Sequence, residues 1–308
     1  MDKLKKVGLT ALGTALISTA ASAGDMAVTG SALMTFTGND NTDTGNGWSM
    51  SDTMTFTGSG EMDNGWGITY SHAIDGGAND ANSIAIDMGD MGKLTFAGLG
   101  GSGPVAATDD KMPSANEESW ANSAGTKTAA ATGASGNNGF NYNLPAMIDG
   151  VAMELYYLPS AAGTTSSFEY GLTYTGIEGL TVGYAGGDNE TTATNTIEGT
   201  NLYATYTMDA FTIGVQDNET DQQTAAADSD FRAYAVSYAV SDELSVSYGI
   251  SSVEHENTSK EDQDASAVSF SYVSGGMTIS GSMANVDNVG GTAATDNQGY
   301  ELNVTFAF

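Results

Sequence analysis

The chain has 308 residues, among them 40 glycines, 4 prolines and no cysteine, and its 38 acidic residues against 8 lysines and arginines give a formal net charge of -30. That balance excludes nucleic-acid binding, which needs Lys and Arg clustered against phosphate. The absence of Cys excludes disulfides, thiolate nucleophiles and Cys-ligated zinc or iron–sulfur centres, and two histidines leave little for any other metal site.

In chain order, the first element is a targeting segment. Lys3, Lys5 and Lys6 precede a mostly apolar stretch from Val7 to Thr19, and Ala21-Ser22-Ala23 then forms a small-residue cleavage pattern. Residues 1–23 therefore read as a cleaved secretory signal peptide and 24–308 as the mature domain. Its removal leaves Lys93, Lys111, Lys127, Arg232 and Lys260 as the remaining bases. No later stretch is long and apolar enough for a transmembrane helix.

The mature chain then alternates apolar and polar residues almost throughout. Val151, Met153, Leu155 and Tyr157 share one parity; so do Phe168, Tyr170, Leu172 and Tyr174, and so do Leu244, Val246, Tyr248 and Ile250. Strict period two predicts strands with one apolar and one polar face, the polar one made of Ser, Thr, Asn, Gly and Glu. Seven tight turns punctuate them: Asp63-Asn64-Gly65, Asp90-Met91-Gly92, Ile148-Asp149-Gly150, Ile177-Glu178-Gly179, Met208-Asp209-Ala210, Ser241-Asp242-Glu243 and Ser274-Gly275-Gly276. They recur at intervals of about thirty residues, with one interval doubled, and alternate with longer polar loops. Seven turns and eight loops predict sixteen strands. At about 10 residues per tilted transmembrane strand these take roughly 160 residues. The doubled interval holds a long third loop from about Leu99 to Gly139. At the second turn, placing Ile86 opposite Leu94 puts Asp87 opposite Lys93 on the other face.

A soluble sandwich would bury its apolar faces against each other; a membrane barrel turns them to lipid around a water-filled lumen. The asymmetry of short turns and longer loops favours the barrel. So do aromatics near strand ends (Trp48, Trp66, Phe140, Tyr174, Phe211, Phe231, Tyr272, Phe308), which suit two interfacial girdles. The final strand alternates Tyr300, Leu302, Val304, Phe306 and Phe308 with Glu301, Asn303, Thr305 and Ala307. The signal segment, the sixteen-strand rhythm, the long third loop and this Phe-terminated strand make the chain resemble the general porins of Gram-negative outer membranes. The resemblance implies an all-β, sixteen-stranded antiparallel transmembrane barrel, a third loop folded into the pore, a homotrimer, and the terminal strand as an assembly signal. The chain departs from the family in lacking a Pro-Glu-Phe-Gly type loop motif and in having a single Arg where a ladder of wall arginines is usual.

The expected function is passive diffusion of small hydrophilic solutes across the outer membrane, with weak cation selectivity. Lumen-wall charges by parity are Asp87, Lys93, Glu154, Glu169 and Glu301, and the third loop contributes Asp109, Asp110, Lys111, Glu117 and Glu118 to a constriction, with Lys127. Carboxylates at a constriction favour cations. Arg232 and Asp52 share the parity of apolar neighbours and should face outward; for Asp52 the readings are burial between subunits or a local register error. His72 is expected at the outer rim and His255 in a polar loop between two glutamates, an arrangement that does not make a catalytic site. Asp40–Gly45 only loosely resembles a calcium loop. Tyr156 and Tyr203 are the lumen-parity aromatics, too few for a sugar-stacking track. No cofactor, resident metal or catalytic residue is expected; the partners are lipid, solutes, cations and further copies of the chain. The alternative is a secreted acidic β-sandwich of surface-layer or adhesin type.

Overall fold

The structure is a computed structural model that describes residues 24–39, 46–120, 133–161, 165–192, 195–223 and 227–308. The signal segment 1–23, Lys127 and the loop Asp40–Gly45 lie outside the described residues. The strands in chain order are β1 (Met26–Asn39), β2 (Trp48–Glu61), β3 (Gly67–Asp75), β4 (Ala78–Asp87), β5 (Lys93–Leu99), β6 (Gly101–Ser102), β7 (Ser135–Gly136), β8 (Gly139–Asn143), β9 (Val151–Leu158), β10 (Ser167–Ile177), β11 (Leu180–Thr192), β12 (Asn195–Met208), β13 (Phe211–Gln222), β14 (Ser229–Ala239), β15 (Leu244–His255), β16 (Gln263–Ser274), β17 (Met277–Asp287) and β18 (Asn297–Ala307). All but β6 and β7 form one closed barrel of sixteen antiparallel strands, each paired with its chain neighbours. Closure is made by β1 on β18, with Phe36 opposite Leu302 and Ala32 opposite Phe306. The Gly30 and Phe308 backbones exchange hydrogen bonds of 2.8 and 3.0 Å. A closed barrel leaves no unpaired sheet edge, the condition for backbone to cross hydrocarbon.

Alternation decides which face is which. The apolar parity stands exposed on strand after strand, as with Tyr170, Leu172, Ile213, Tyr248 and Leu302, while the other parity lines the interior. At the second turn the register is as expected, Ile86 opposite Leu94 and Asp87 opposite Lys93. The same logic removes the register-error reading of Asp52. It sits opposite Ala32 with Met54 opposite Gly30, so all four share the outward face.

All seven tight turns close hairpins at the expected places. Gly179 shows why glycine is needed at one of them: its φ is +76° and a Cβ there would fall 2.3 Å from the Thr207 carbonyl oxygen. The opposite end of the barrel departs from the expectation of uniformly longer loops. β3 and β4 are joined by Gly76-Gly77 alone, both at positive φ, 53° and 82°. That pair makes a two-residue hairpin where sequence spacing implied a loop. The wall is accordingly uneven, 7 residues in β5 and 8 in β9 against 14 in β12.

The inner face is also less polar than expected. Phe231, Ala233 and Val253 point inward and form a buried cluster with Met112, Trp120 and Tyr203; Ala265, Ala267, Ala284 and Val286 form a second beneath Val289. These inward apolar positions on β14–β17 are where loops lie against the wall. Phe231 is therefore packed on Trp120, with ring centroids 4.8 Å apart at 74°, and is not part of an outer girdle.

Candidate functional site: the third loop and the lumen wall

The connection from β5 to β8 begins and ends in a small ladder, β6 against β7, which closes its neck. A short helix, α1 (Pro104–Thr108), follows β6 with proline in its first turn, where the missing N–H costs nothing. Because the neck is closed, both of its sides reach one carboxylate on the wall. Glu169 on β10 accepts the Val105 amide at 2.9 Å through one oxygen and the Ala134 amide through the other. Its side chain is 1% exposed.

From there the described loop follows the inner wall strand by strand. Asn201 on β12 donates to the Val105 carbonyl at 2.6 Å. Gln216 on β13 donates to the Thr108 and Asp109 carbonyls at 3.1 and 2.6 Å and accepts the Lys111 amide at 2.8 Å. Ser247 on β15 accepts the Ala115 amide at 2.9 Å, and Ser119 bonds Ser251 at 3.0 Å. The loop reaches farthest along the wall at β17 and β18, where Ser280 donates to the Asn116 side-chain oxygen at 2.6 Å and the Asn116 amide donates to Glu301 at 3.0 Å, before Ser119 and Trp120 return to β15 and β14. Wall glycines make room for it: a Cβ on Gly171 would lie 2.6 Å from Pro104, and one on Gly214 would lie 2.5 Å from Pro113. Trp120, Pro104 and Pro113 thus anchor the loop, against Phe231, Gly171 and Gly214 respectively. Most buried polar wall groups that meet the loop find a backbone or side-chain partner, as close packing away from water demands; the Tyr156 hydroxyl and the Asn201 side-chain oxygen find none among the described residues.

Open space remains on the opposite side, against the shorter strands. One cavity of about 350 Å³ is lined by Ser71, Ser83, Thr95, Asn141, Glu154 and Tyr156. A second of about 230 Å³ lies between Lys111, Thr108 and Tyr203 on one side and Asn143, Glu154 and Thr173 on the other. Glu154 borders both. The inner faces of β2 and β3 next to this space carry Ser51, Thr53, Thr55, Thr57, Thr69 and Ser71, hydroxyl groups without formal charge.

The expected site residues therefore separate into distinct groups. Asp87 and Lys93 share the inward face beside the β4–β5 turn, where Asp87 accepts the Gly89 amide at 3.0 Å. Glu154 faces the open cavities and is bonded by Asn141. Glu169 is on the inner face but lies under the loop, removed from the open space. Glu301 is held by Asn116 and, at 2.6 Å, by Asn303. Of the loop charges, Lys111 lies 3.6 Å from Asp110, and Glu117 and Glu118 are half-buried beside Met112 and Trp120. Tyr156 and Tyr203 have lumen parity but are buried at the loop. His72 faces outward well down β3, not at the rim, because its register partner is Phe56. His255 ends β15 on the inner face, half-buried against Gly291, and does not lie in a loop. Arg232 faces outward as expected and pairs with Asp217 at 2.8 Å. Sequence reasoning missed Asn201, Gln216, Ser247, Ser280 and Asn116. The signal of the four wall residues, inward amides and hydroxyls opposite a long loop, is the same as that of any water-lined wall, and Asn116 is one polar residue among many in the loop.

A search of curated proteins returns no match. Solved structures do match in fold. The anion-selective porin of Comamonas acidovorans aligns at TM-score 0.70 with 13% identity, covering 92% of this chain and 100% of that one. The trimer form of OmpT, an outer membrane protein of Vibrio cholerae, aligns at 0.71 with 12% identity over 93% and 100%. A triple mutant of Rhodopseudomonas blastica porin aligns at 0.65 with 17% identity over 92% and 100%. The family model for Gram-negative porins matches residues 8–273. With its closed sixteen-stranded barrel, lipid-facing apolar surface and hydroxyl-lined interior, the chain belongs to the Gram-negative porin family and is an outer-membrane channel.

Proposed function

We propose that the channel passes small hydrophilic solutes by diffusion with weak preference for cations, that the third loop narrows the lumen, that residues 1–23 are removed on export, and that the working unit is a homotrimer. One observation carries the selectivity: Glu154 borders both open cavities, whereas Lys111, which shares the second cavity with it, is partly offset by Asp110 at 3.6 Å. Of the other inward carboxylates on the wall, Glu169 and Glu301 are tied to the loop by hydrogen bonds, Asp87 stands opposite Lys93, and Glu61 and Asp75 end β2 and β3. The surplus near the path is small, and screening over about 8 Å at physiological salt weakens it further. The trimer is supported by the fold shared with OmpT in its trimer form. No catalytic role is assigned to His72 or His255.

The test is planar-bilayer recording of the purified protein under a KCl gradient. Stepwise conductance with a reversal potential on the cation side is expected, in steps of three if trimers insert. A reversal potential on the anion side refutes the selectivity. Folded, heat-modifiable protein without conductance refutes open diffusion.

A further inference from the structure

The open side of the lumen holds a recess of definite composition. The cavity of about 350 Å³ is bounded by β3, β4, β5, β8 and β9 and by the loop neck at Gly101 and Ser102. Small-molecule sites run from about 300 to 1,000 Å³, so this volume suits a small solute. Part of the lining is apolar and mostly small: Ala81, Ala97 and Leu99, with Gly100 and Gly101. The rest is polar, and the strand register gathers it. Ser71 stands opposite Ser83, Thr95 opposite Asn141, and Asn143 opposite Glu154.

Two polar atoms of this lining are unpaired. Tyr156 is 1% exposed, and its hydroxyl finds no hydrogen-bond partner among the described residues; neither does the Asn141 side-chain oxygen. The hydroxyl lies against the neck, since a Cβ on Gly101 would fall 3.1 Å from it. Buried polar groups are ordinarily paired, so each of these two is a position for a group that a solute brings in.

The lining also selects by charge. Glu154 is its one charged residue, which disfavours anions. Asn141 already donates to that carboxylate, and the amides and hydroxyls around the pair donate and accept without charge. A patch of methyl groups beside such a rim matches a solute with a C–H face and several hydroxyls. Each solute hydroxyl can donate to the Asn141 oxygen or to Glu154, and can donate to or accept from the Tyr156 hydroxyl. Tyr156 then acts through its oxygen and not as a stacking face, because its ring is covered.

We propose, resting on the reading of the chain as a diffusion channel, that this recess is a subsite for neutral polyols of monosaccharide size, which are held there in transit by hydrogen bonds to Tyr156, Asn141 and Glu154.

Planar-bilayer recording of the whole protein in symmetrical KCl tests this, with glucose as the probe and glucuronate as a charged control of similar size. Glucose should lower the single-channel current along a curve that saturates in the millimolar range, beyond the linear fall in bulk conductivity. Glucuronate should give no saturating component. Ser83→Leu puts an apolar side chain into the recess and should abolish the saturating component. Tyr156→Phe removes one hydroxyl and should raise the half-saturating concentration severalfold. A conducting native channel with no saturating component, equal saturation by glucuronate, or unchanged saturation in either conducting variant overturns the subsite. Folded native protein that does not conduct at all overturns the diffusion reading itself.

Discussion

Glu169→Gln exchanges one carboxylate oxygen for an amide and leaves the side chain's size unchanged. In the native chain the two oxygens hold the two sides of the third-loop neck, at Val105 and Ala134. A carboxamide accepts from one of those amides and turns a donor toward the other. A hydrogen bond to a charged group contributes about 1.5–3 kcal/mol, and a buried donor left without a partner costs about 1–3 kcal/mol. A net loss near 2 kcal/mol lowers the ratio of docked to undocked neck about 30-fold. Asn201 and Gln216 still hold α1, so the change is confined to the neck and the barrel stays closed. A nitroxide on Ser102→Cys, an exposed position in β6, reads the neck directly. Glu169→Gln should sharpen the spin-label spectrum and raise open-channel current noise, with heat-modifiable migration unchanged. An unaltered spectrum in folded Glu169→Gln protein would refute the idea that this carboxylate clamps the loop.

Other substitutions test the remaining parts. Glu154→Gln should move the reversal potential toward the anion side, with the difference from the native protein largest at about 0.01 M salt and nearly gone at 1 M, as the screening length shrinks from about 30 to 3 Å. Gly214→Val places a side chain where Pro113 now lies 2.5 Å from the Cβ position; it should lift the loop from β13 and change single-channel conductance while the barrel still assembles. Trp120→Ala removes the ring packed on Phe231 at a cost of about 3–5 kcal/mol to loop docking, read as faster protease cleavage within the loop in intact membranes.

The barrel was legible because period-two alternation and turn chemistry are local signals. Ile86 opposite Leu94 follows from parity and a three-residue turn alone. The Gly76-Gly77 hairpin was not legible from average loop lengths, since two glycines at positive φ turn the chain in less space than the spacing allows for. The lumen assignments fared unevenly for a physical reason. Parity tells that Glu169 and Glu154 point inward, but whether a loop covers one and leaves the other open depends on contacts between residues far apart in the chain. The inward run Phe231, Ala233, Val253, Ala265 and Ala267 was the available clue, since a wall meeting water alone has no use for phenylalanine. Asp52 gave a different kind of signal. Its parity was readable, and only the observed register separated an outward carboxylate from a slipped strand.

The third loop leaves the chain between β5 and β8, yet Asn116 on it is fastened to Glu301, 185 residues farther along. Every anchor from Glu169 onward belongs to strands that come later in the sequence. Non-local contacts of this span form late, after the chain between them has been ordered. The far end of the strap, at Asn116, therefore has its partners only once β17 and β18 are in place. A barrel arrested before β18 docks would leak more and be nicked sooner than the finished one, and the closing strand sets the moment at which the channel acquires its final bore.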